Sequence, residues 1–411
     1  MRARGRPGPF TPVDLAVAAG RPLLLRQPFE GTAFDEVILG CAAPVSEEMN
    51  PGRVAALRLG LGHRMPGWTV QRNCGSGMQS VETAWRYIAD GRADLILAGG
   101  TESLSHTPLQ FNRHMVDWLA DLAQAKSATA RLRVLARFRP HFLKPVISLE
   151  RGLTDPTVQL NMGQTAEVLA DRFNISREAA DAYAVRSHQR LSRATAEGFL
   201  VEMEPIFDDR GNLYDHDDGV RPDSTVERLG RLRPVFEPPW GKVTAGNSSQ
   251  ITDGAAWLIL ASESAVNRYG LEPLGRISGS QWSALDPAQM GLGPAHASAA
   301  LMQRHRLGVG DIDAWELNEA FAAQVLACLK VWKDDAYCRD QLGLEGALGE
   351  IDPERLNVDG GAISLGHPVG TSGARITLHL LHVLRRLGGR RGIATLCIGG
   401  GQGGALLVER P

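Results

Sequence analysis

Trp68-Thr69-Val70-Gln71-Arg72-Asn73-Cys74-Gly75-Ser76-Gly77-Met78 is the stretch whose reading decides the fold. Trp68 to Gln71 has the aromatic and β-branched make-up of a strand. The glycines that follow mark a tight turn. From Ser76 to Asp90 apolar residues recur at helical spacing, until Gly91 ends the run. Asp94-Leu95-Ile96-Leu97-Ala98 then reads as a buried strand closed by Gly99-Gly100. Strand, turn, helix and strand in that order form an α/β unit.

Upstream, Asp35 to Gly40 reads as a strand and residues 52–61 as a helix. The C-terminal part repeats the style. Asp313 to Leu317 is strand-like and Ala320 to Val331 helical. Thr371 to Arg386 has a helical period, and Gly392 to Ile398 and Ala405 to Glu409 read as strands around a glycine turn. Two halves of similar layout imply an internal duplication. The middle differs: it carries charge, proline and glycine, with helices expected from Asn112 to Arg139 and from Ser176 to Glu197. The expected organisation is an N-terminal half over 1–112 and an inserted loop or lid domain over 113–245. A return strand and helix of the first half follow over 246–270, and a C-terminal half over 271–411.

The 411 residues carry a net charge of −2, with no basic excess that would serve nucleic acid. No run of about 18 apolar residues appears. The opening Met1-Arg2-Ala3-Arg4-Gly5-Arg6-Pro7 is basic without an apolar stretch behind it, unlike a secretory signal. The five cysteines (41, 74, 328, 338 and 397) are scattered and odd in number, which implies reduced thiols and a cytoplasmic location. No spacing of His, Cys and Asp suits a metal, and no cofactor is expected.

Two thiols sit in glycine turns. Cys74 lies at a helix start, where unpaired N–H groups favour the thiolate. Cys397 leads into five glycines between Gly399 and Gly404, which expose backbone N–H groups fit to hold an oxyanion. His367, between Gly366 and Pro368, is pinned in a turn before a helix, as a base for a thiol requires. Asn318 follows a strand and reads first as a helix cap. The Gly399-x-Gly401-x-x-Gly404 match to a dinucleotide fingerprint has no helix after it and is discounted.

Together these motifs resemble the thiolase family. The matching stretches are Asn73 to Gly77, Gly99 to Ser103, Met162 to Glu167, Thr244 to Ser249, Asn318 to Phe321, Gly360 to Ile363, Gly366 to Pro368 and Cys397 to Gly404. They run in family order from about residue 34 to the end. Residues 113–160 and 331–356 look most like the thiolase subunit of the fatty-acid oxidation trifunctional complex.

The resemblance implies two similar α/β halves in layers and an acetyl-CoA acyltransferase working by a ping-pong route. It implies that Cys74 is the nucleophile, His367 its base and an oxyanion donor, and Cys397 the second acid/base. Asn318 would hold a water in one oxyanion hole, and the amides of Cys74 and Gly399 would form another. Met162, Arg221 and Ser249 would line the coenzyme A channel. Coenzyme A and acyl-CoA are then substrates. A homodimer or dimer of dimers, a hydratase/dehydrogenase subunit and a peripheral membrane surface are the partners to expect.

Three positions depart from the family pattern. Asn161 stands where the family often has His, His296 where it usually has Pro, and the start lacks the usual apolar strand. A condensing acetoacetyl-CoA thiolase, a ketoacyl synthase, which would lack the second cysteine, and a non-catalytic lipid carrier are the competing readings.

Overall fold

In the computed structural model residues 1–3 and 7–410 are described. The basic stretch singled out at the start therefore falls partly outside the described residues. In the first half come α1 (Pro12–Leu25), β1 (Glu36–Gly40), α2 (Pro51–Arg58), β2 (Gly67–Val70), α3 (Ser76–Ala89) and β3 (Leu95–Ser103). The middle holds β4 (Leu109–Phe111), α4 (Arg113–Gln124), α5 (Ala128–Ala136), β5 (Pro145–Ile147) and α6 (Ser148–Gly152). It continues with α7 (Met162–Arg172), α8 (Arg177–Ala196), β6 (Ile206–Phe207), β7 (Leu213–Tyr214) and α9 (Val226–Leu229). Then β8 (Asp253–Ala261) and α10 (Glu263–Tyr269) complete the first sheet. The second half comprises β9 (Arg276–Ala284), α11 (Gly293–His305), β10 (Ala314–Leu317), α12 (Ala322–Lys333) and α13 (Asp335–Leu342). It ends with α14 (Ala362–Leu365), α15 (Val369–Leu387), β11 (Arg391–Ile398) and β12 (Gln402–Glu409).

The sheets have orders β2-β1-β3-β8 and β10-β11-β12-β9. In the first, β1 is parallel to β2 and β3, and β8 runs antiparallel to β3. In the second, β10 is parallel to β11, and β12 is antiparallel to β11 and β9. The sheets are therefore mixed and built alike. Helices α3 and α15 lie between them: Met78, Val81, Ile376, Leu380 and Leu384 share one core with Ile38, Ile96, Leu396 and Leu406 of both sheets. A second core joins α1 and α2 to the outer face of the first sheet, and a third joins α11 and α12 to the outer face of the second. Each fully buried Leu or Ile contributes about 1.5–3 kcal/mol of transfer free energy. The layers alternate helix, sheet, helix, sheet, helix, as the α/β pattern anticipates.

Three expectations need correction. Gly99 and Gly100 do not close β3, which runs on to Ser103 with every residue buried. A Cβ on Gly100 would stand 2.3 Å from Gly370 O, so the glycine is there to admit the first turn of α15. The helix expected from Asn112 to Arg139 is broken in two. Ala125 ends α4 in an extended conformation, and Ser127 caps α5 by accepting from Ala130 N. Finally, the region before Asp35, where the sequence reading names no helix, contains α1. It starts at a full capping box between Thr11 and Asp14.

Candidate active site

Turns at the inner ends of α3 and α15 build the site. The two helices cross so closely there that a Cβ on Gly77 would lie 2.8 Å from Gly370 O. This brings the Cys74 turn and the His367 turn to the same place. From the second sheet, the β11–β12 turn arrives with Gly400 and Gly401 at φ of 92° and 72°, a region where a side chain is strained.

Of the five free cysteines only Cys74 keeps part of its surface open; the other four are buried. The N–H groups of Gly399 and of Cys74 itself act on its sulfur. Asn73 Nδ2 donates to Gly399 O at 2.9 Å and ties the two turns together. Burial nevertheless wins, and pushes the Cys74 thiol up to about 11. The expectation that the helix start lowers this pKa fails here, because desolvation of the thiolate outweighs two N–H dipoles. At neutral pH Cys74 is a thiol that needs a base.

His367 has a carbonyl clamp and a hydroxyl partner. Its N–H donates to Gln250 O at 3.0 Å, and its Nδ1 lies 2.6 Å from Ser372 Oγ. The Ser372 hydroxyl donates to Pro368 O at 3.2 Å. Ser372 Oγ is then the acceptor and Nδ1 carries the ring proton, which leaves Nε2 with a lone pair. Burial, and then Arg375, lower the imidazole to about 4. It is neutral at pH 7.

Nε2 faces Asn318, whose Nδ2 lies 3.5 Å away. Asn318 is buried and does not cap the helix that follows: its Oδ1 has no partner among the described residues. Its N–H donates to Thr395 O at 2.9 Å, on β11, the strand that carries Cys397. Cys397 is buried, and burial followed by the nearby Cys74 pushes its thiol well up. It holds a proton at neutral pH.

The channel residues fare unequally. Met162 Sδ is 3.4 Å from where a Gly399 Cβ would stand, at the mouth of the same turn. Ser249 donates its N–H to Ala320 O at 2.9 Å, next to the Asn318 loop. Arg221 is exposed, and its N–H donates to His188 Nδ1 at 3.1 Å; no described contact brings it to the thiols. Asn161 serves as the cap of α7 in a capping box with Gln164, and His296 Nε2 lies 3.0 Å from Tyr337 Oη, both side chains half-buried.

Two residues that the sequence reading passed over help to hold the site. Ser372 orients the imidazole; its signal was a hydroxyl five residues after a pinned histidine, inside the first helical turn. Glu102, fully buried on β3, accepts from Ala42 N, Ala43 N and Gly370 N and so fixes the start of α15. Replacing Ser372 by alanine is expected to lower kcat by about tenfold or more with KM little changed, because the ring loses its tautomer lock. Threonine at 372 should restore most of the rate. A Ser372→Ala variant with wild-type kcat would remove this role.

No group of three His, Cys, Asp or Glu side chains among the described residues is arranged to hold a metal. No helix among them is long and apolar enough to cross a membrane.

Comparison with known proteins accounts for the arrangement. Residues 3–264 match the thiolase N-terminal domain and residues 271–410 the thiolase C-terminal domain. The β-ketoadipyl-CoA thiolase of Pseudomonas aeruginosa is 42% identical over 97% of this chain and 93% of its own length. The mitochondrial trifunctional enzyme subunit beta of Bos taurus is 35% identical over 97% and 83%. Human mitochondrial 3-ketoacyl-CoA thiolase, in its crystal structure in complex with CoA, superposes with a TM-score of 0.83 at 37% identity, covering 98% of this chain and 93% of that one. With both domains matched across two similar sheets, the chain belongs to the thiolase family of acyltransferases.

Proposed function

We propose that this chain cleaves 3-ketoacyl-CoA with coenzyme A, releasing acetyl-CoA and a shortened acyl-CoA, as in fatty acid β-oxidation. The observation that carries the reading is that Cys74 meets the Gly399 N–H and lies near Cys397, while the neutral His367 imidazole, on the turn packed against the Cys74 helix, faces Asn318. Cys74 Sγ attacks the 3-keto carbon while its proton passes to His367 Nε2. The C2–C3 bond breaks, its electron pair leaves with acetyl-CoA as an enolate, and the Cys397 thiol protonates C2. The Cys397 thiolate then takes the proton of coenzyme A. The new thiolate attacks the Cys74 thioester, and Cys74 recovers its proton from His367. Asn318 and the protonated imidazole serve the oxyanion of one step, and the N–H groups of Cys74 and Gly399 that of the other.

Both pKa directions support this division. A buried thiol with a raised pKa is suited to donate a proton, and a neutral imidazole is suited to accept one. Met162 and Ser249 are assigned to the coenzyme A channel; Arg221, at the surface, is assigned to its outer mouth.

The test is thiolysis rate against a ladder of 3-ketoacyl-CoA lengths, with 3-ketoadipyl-CoA included because one relative is named for it. Activity confined to acetoacetyl-CoA favours the condensing enzyme. No activity and no alkylatable thiol favours a lipid carrier. The expected assembly is a homodimer or dimer of dimers, which sedimentation velocity reads.

The α4–α5 lid bears on partners. Trp118 Nε1 donates to Val134 O at 2.8 Å and its ring meets Phe138 edge-on at 5.3 Å, so these residues form the lid's own small core. Leu132 and Leu143 remain 65% and 60% exposed beside Arg131, Arg133 and Arg137. This surface suits a hydratase/dehydrogenase subunit or an anionic membrane. Changing the three arginines to glutamate is expected to leave short-chain thiolysis within about twofold while weakening co-purification or vesicle sedimentation. If the unaltered protein shows neither association at low salt, the lid serves only its own core.

A further inference from the structure

The Asn318 side chain is not aimed by partners of its own. Among the described residues its Oδ1 has none, and its Nδ2 meets only His367 Nε2, at 3.5 Å. Where the amide points is therefore set by the backbone on either side of it. Leu317, before it, is gripped by the Asn357 side chain. Leu317 N donates to Asn357 Oδ1 and Leu317 O accepts from Asn357 Nδ2, each at 2.8 Å. Asn357 itself is left-handed, with φ of 46°, a conformation that asparagine tolerates better than most residues.

Glu319, after it, is buried, and its carboxyl accepts four hydrogen bonds. Tyr183 Oη donates to Oε1 at 2.9 Å, and Asn357 Nδ2 to the same oxygen at 3.1 Å. Ser187 Oγ donates to Oε2 at 2.7 Å, and Ile363 N at 3.2 Å. Asn357 thus holds both neighbours of Asn318. Tyr183 and Ser187 lie one turn apart on α8, so a helix of the inserted region presents two hydroxyls from one face. Ile363 belongs to α14, which leads into Gly366 and His367. This helix comes so close that a Cβ on Gly361 would stand 2.5 Å from Glu319 Cδ. The imidazole has other holds of its own, Gln250 O on its backbone and Ser372 on its ring.

We propose that Glu319 is a positioning residue for Asn318. It ties the backbone beside the amide to α8 and α14, and so sets where that amide stands against the His367 imidazole. The step it serves rests on the thiolysis reading above. The N–H groups of Cys74 and Gly399 adjoin the sulfur, so they suit the oxygen on the carbon that the sulfur attacks. The pair of Asn318 and His367 is left for the enolate oxygen of acetyl-CoA.

The test is Glu319→Gln. Whichever way the new amide turns, its N–H groups face a donor that cannot reverse. Ile363 N is backbone, and Asn357 would have to release Leu317. Crystal structures should show Asn318 Nδ2 displaced by about 1 Å or more from its wild-type place, with His367 unmoved. Two exchange reactions read the consequence. Exchange of labelled coenzyme A into acetyl-CoA needs only acylation of Cys74, and should stay within about threefold of wild type. In that acylation the departing coenzyme A takes the Cys397 proton. The Cys397 thiolate can then remove a C2 proton from a second acetyl-CoA, giving the enolate, and return a deuteron from heavy water. This C2 labelling should slow by about tenfold or more. Tyr183→Phe deletes one donor and leaves none unpaired. It should give the same split, with labelling slowed about threefold, if the glutamine variant fails to fold. An unmoved Asn318, or an equal fall in both exchanges, overturns the proposal and leaves Glu319 as a brace for the fold. If the wild type cleaves no 3-ketoacyl-CoA, the proposed function falls, and the displacement of Asn318 alone decides the clamp.

Discussion

Replacing Cys74 by serine is expected to stop formation of the acyl-enzyme, with turnover falling by at least about a thousandfold. The thiol is already hard to ionise in its buried setting, with a pKa of about 11, and relies on a base whose own pKa is only about 4. Sulfur tolerates this because it is a strong nucleophile even as it sheds its proton. An alcohol needs a far stronger base, and none lies in the turn. Cys397→Ala should behave differently. Acylation by acetyl-CoA uses the Cys397 proton only to neutralise the departing coenzyme A thiolate, which leaves readily as an anion, so slow acylation should persist while full turnover is lost. Mass spectrometry after incubation with acetyl-CoA should place the adduct on the peptide carrying Cys74. An adduct on Cys397, in the wild type or in Cys74→Ser, would reverse the roles.

Local pattern carried much of this site. The strand, glycine turn and helix around Cys74 follow from residues within one or two turns of each other, as does the strand that ends at Cys397. What stayed hidden depends on distant partners. β9, Arg276-Ile277-Ser278-Gly279-Ser280-Gln281-Trp282-Ser283-Ala284, has no clean apolar alternation, and it is a strand because β12 pairs with eight of its residues. Helix α1 contains Gly20 and Pro22, which argue against a helix locally. Burial against β8 overrides them, with Trp257 Nε1 donating to Ala16 O at 2.8 Å. The break between α4 and α5 falls at Ala125-Lys126-Ser127, where no glycine or proline announces it.

The chemistry was legible to the same depth. Residue types and turns pointed to the thiols and the histidine, but the sign of the Cys74 shift did not follow from its place at a helix start. That sign is set by desolvation of the sulfur in the assembled site, where the turn that brings Gly399 lies some three hundred residues away in the chain. Gly99 and Gly100 tell the same story. They look like strand breakers until β8 is seen to need the bare backbone of Gly99, against Ala256, and α15 that of Gly100, against Gly370.

Replacing His367 by alanine is expected to lower kcat by about three to five orders of magnitude while coenzyme A affinity changes little. The imidazole supplies both the proton acceptor for Cys74 and, once protonated, an oxyanion donor, and both acts belong to the transition state. The pH dependence separates this role from a structural one. Burial, and then the Arg375 charge, hold the folded imidazole at about 4, below its usual 6.5. Between those values the unfolded chain binds a proton that the folded chain refuses. The stability this neutral histidine brings is complete above about pH 6.5 and is lost as the pH falls toward 4, by about 3 kcal/mol in all. The alanine variant should therefore lose less stability than wild type over that window, measured by urea denaturation at pH 7 and pH 4.5. Wild-type kcat, for its part, should show no acid limb from this group above about pH 5. A limb centred near pH 6.5, or an alanine variant within about tenfold of wild-type kcat, would sink the assignment of His367 as the base. An equal fall in coenzyme A binding and in rate would make the residue a prop for the turn instead.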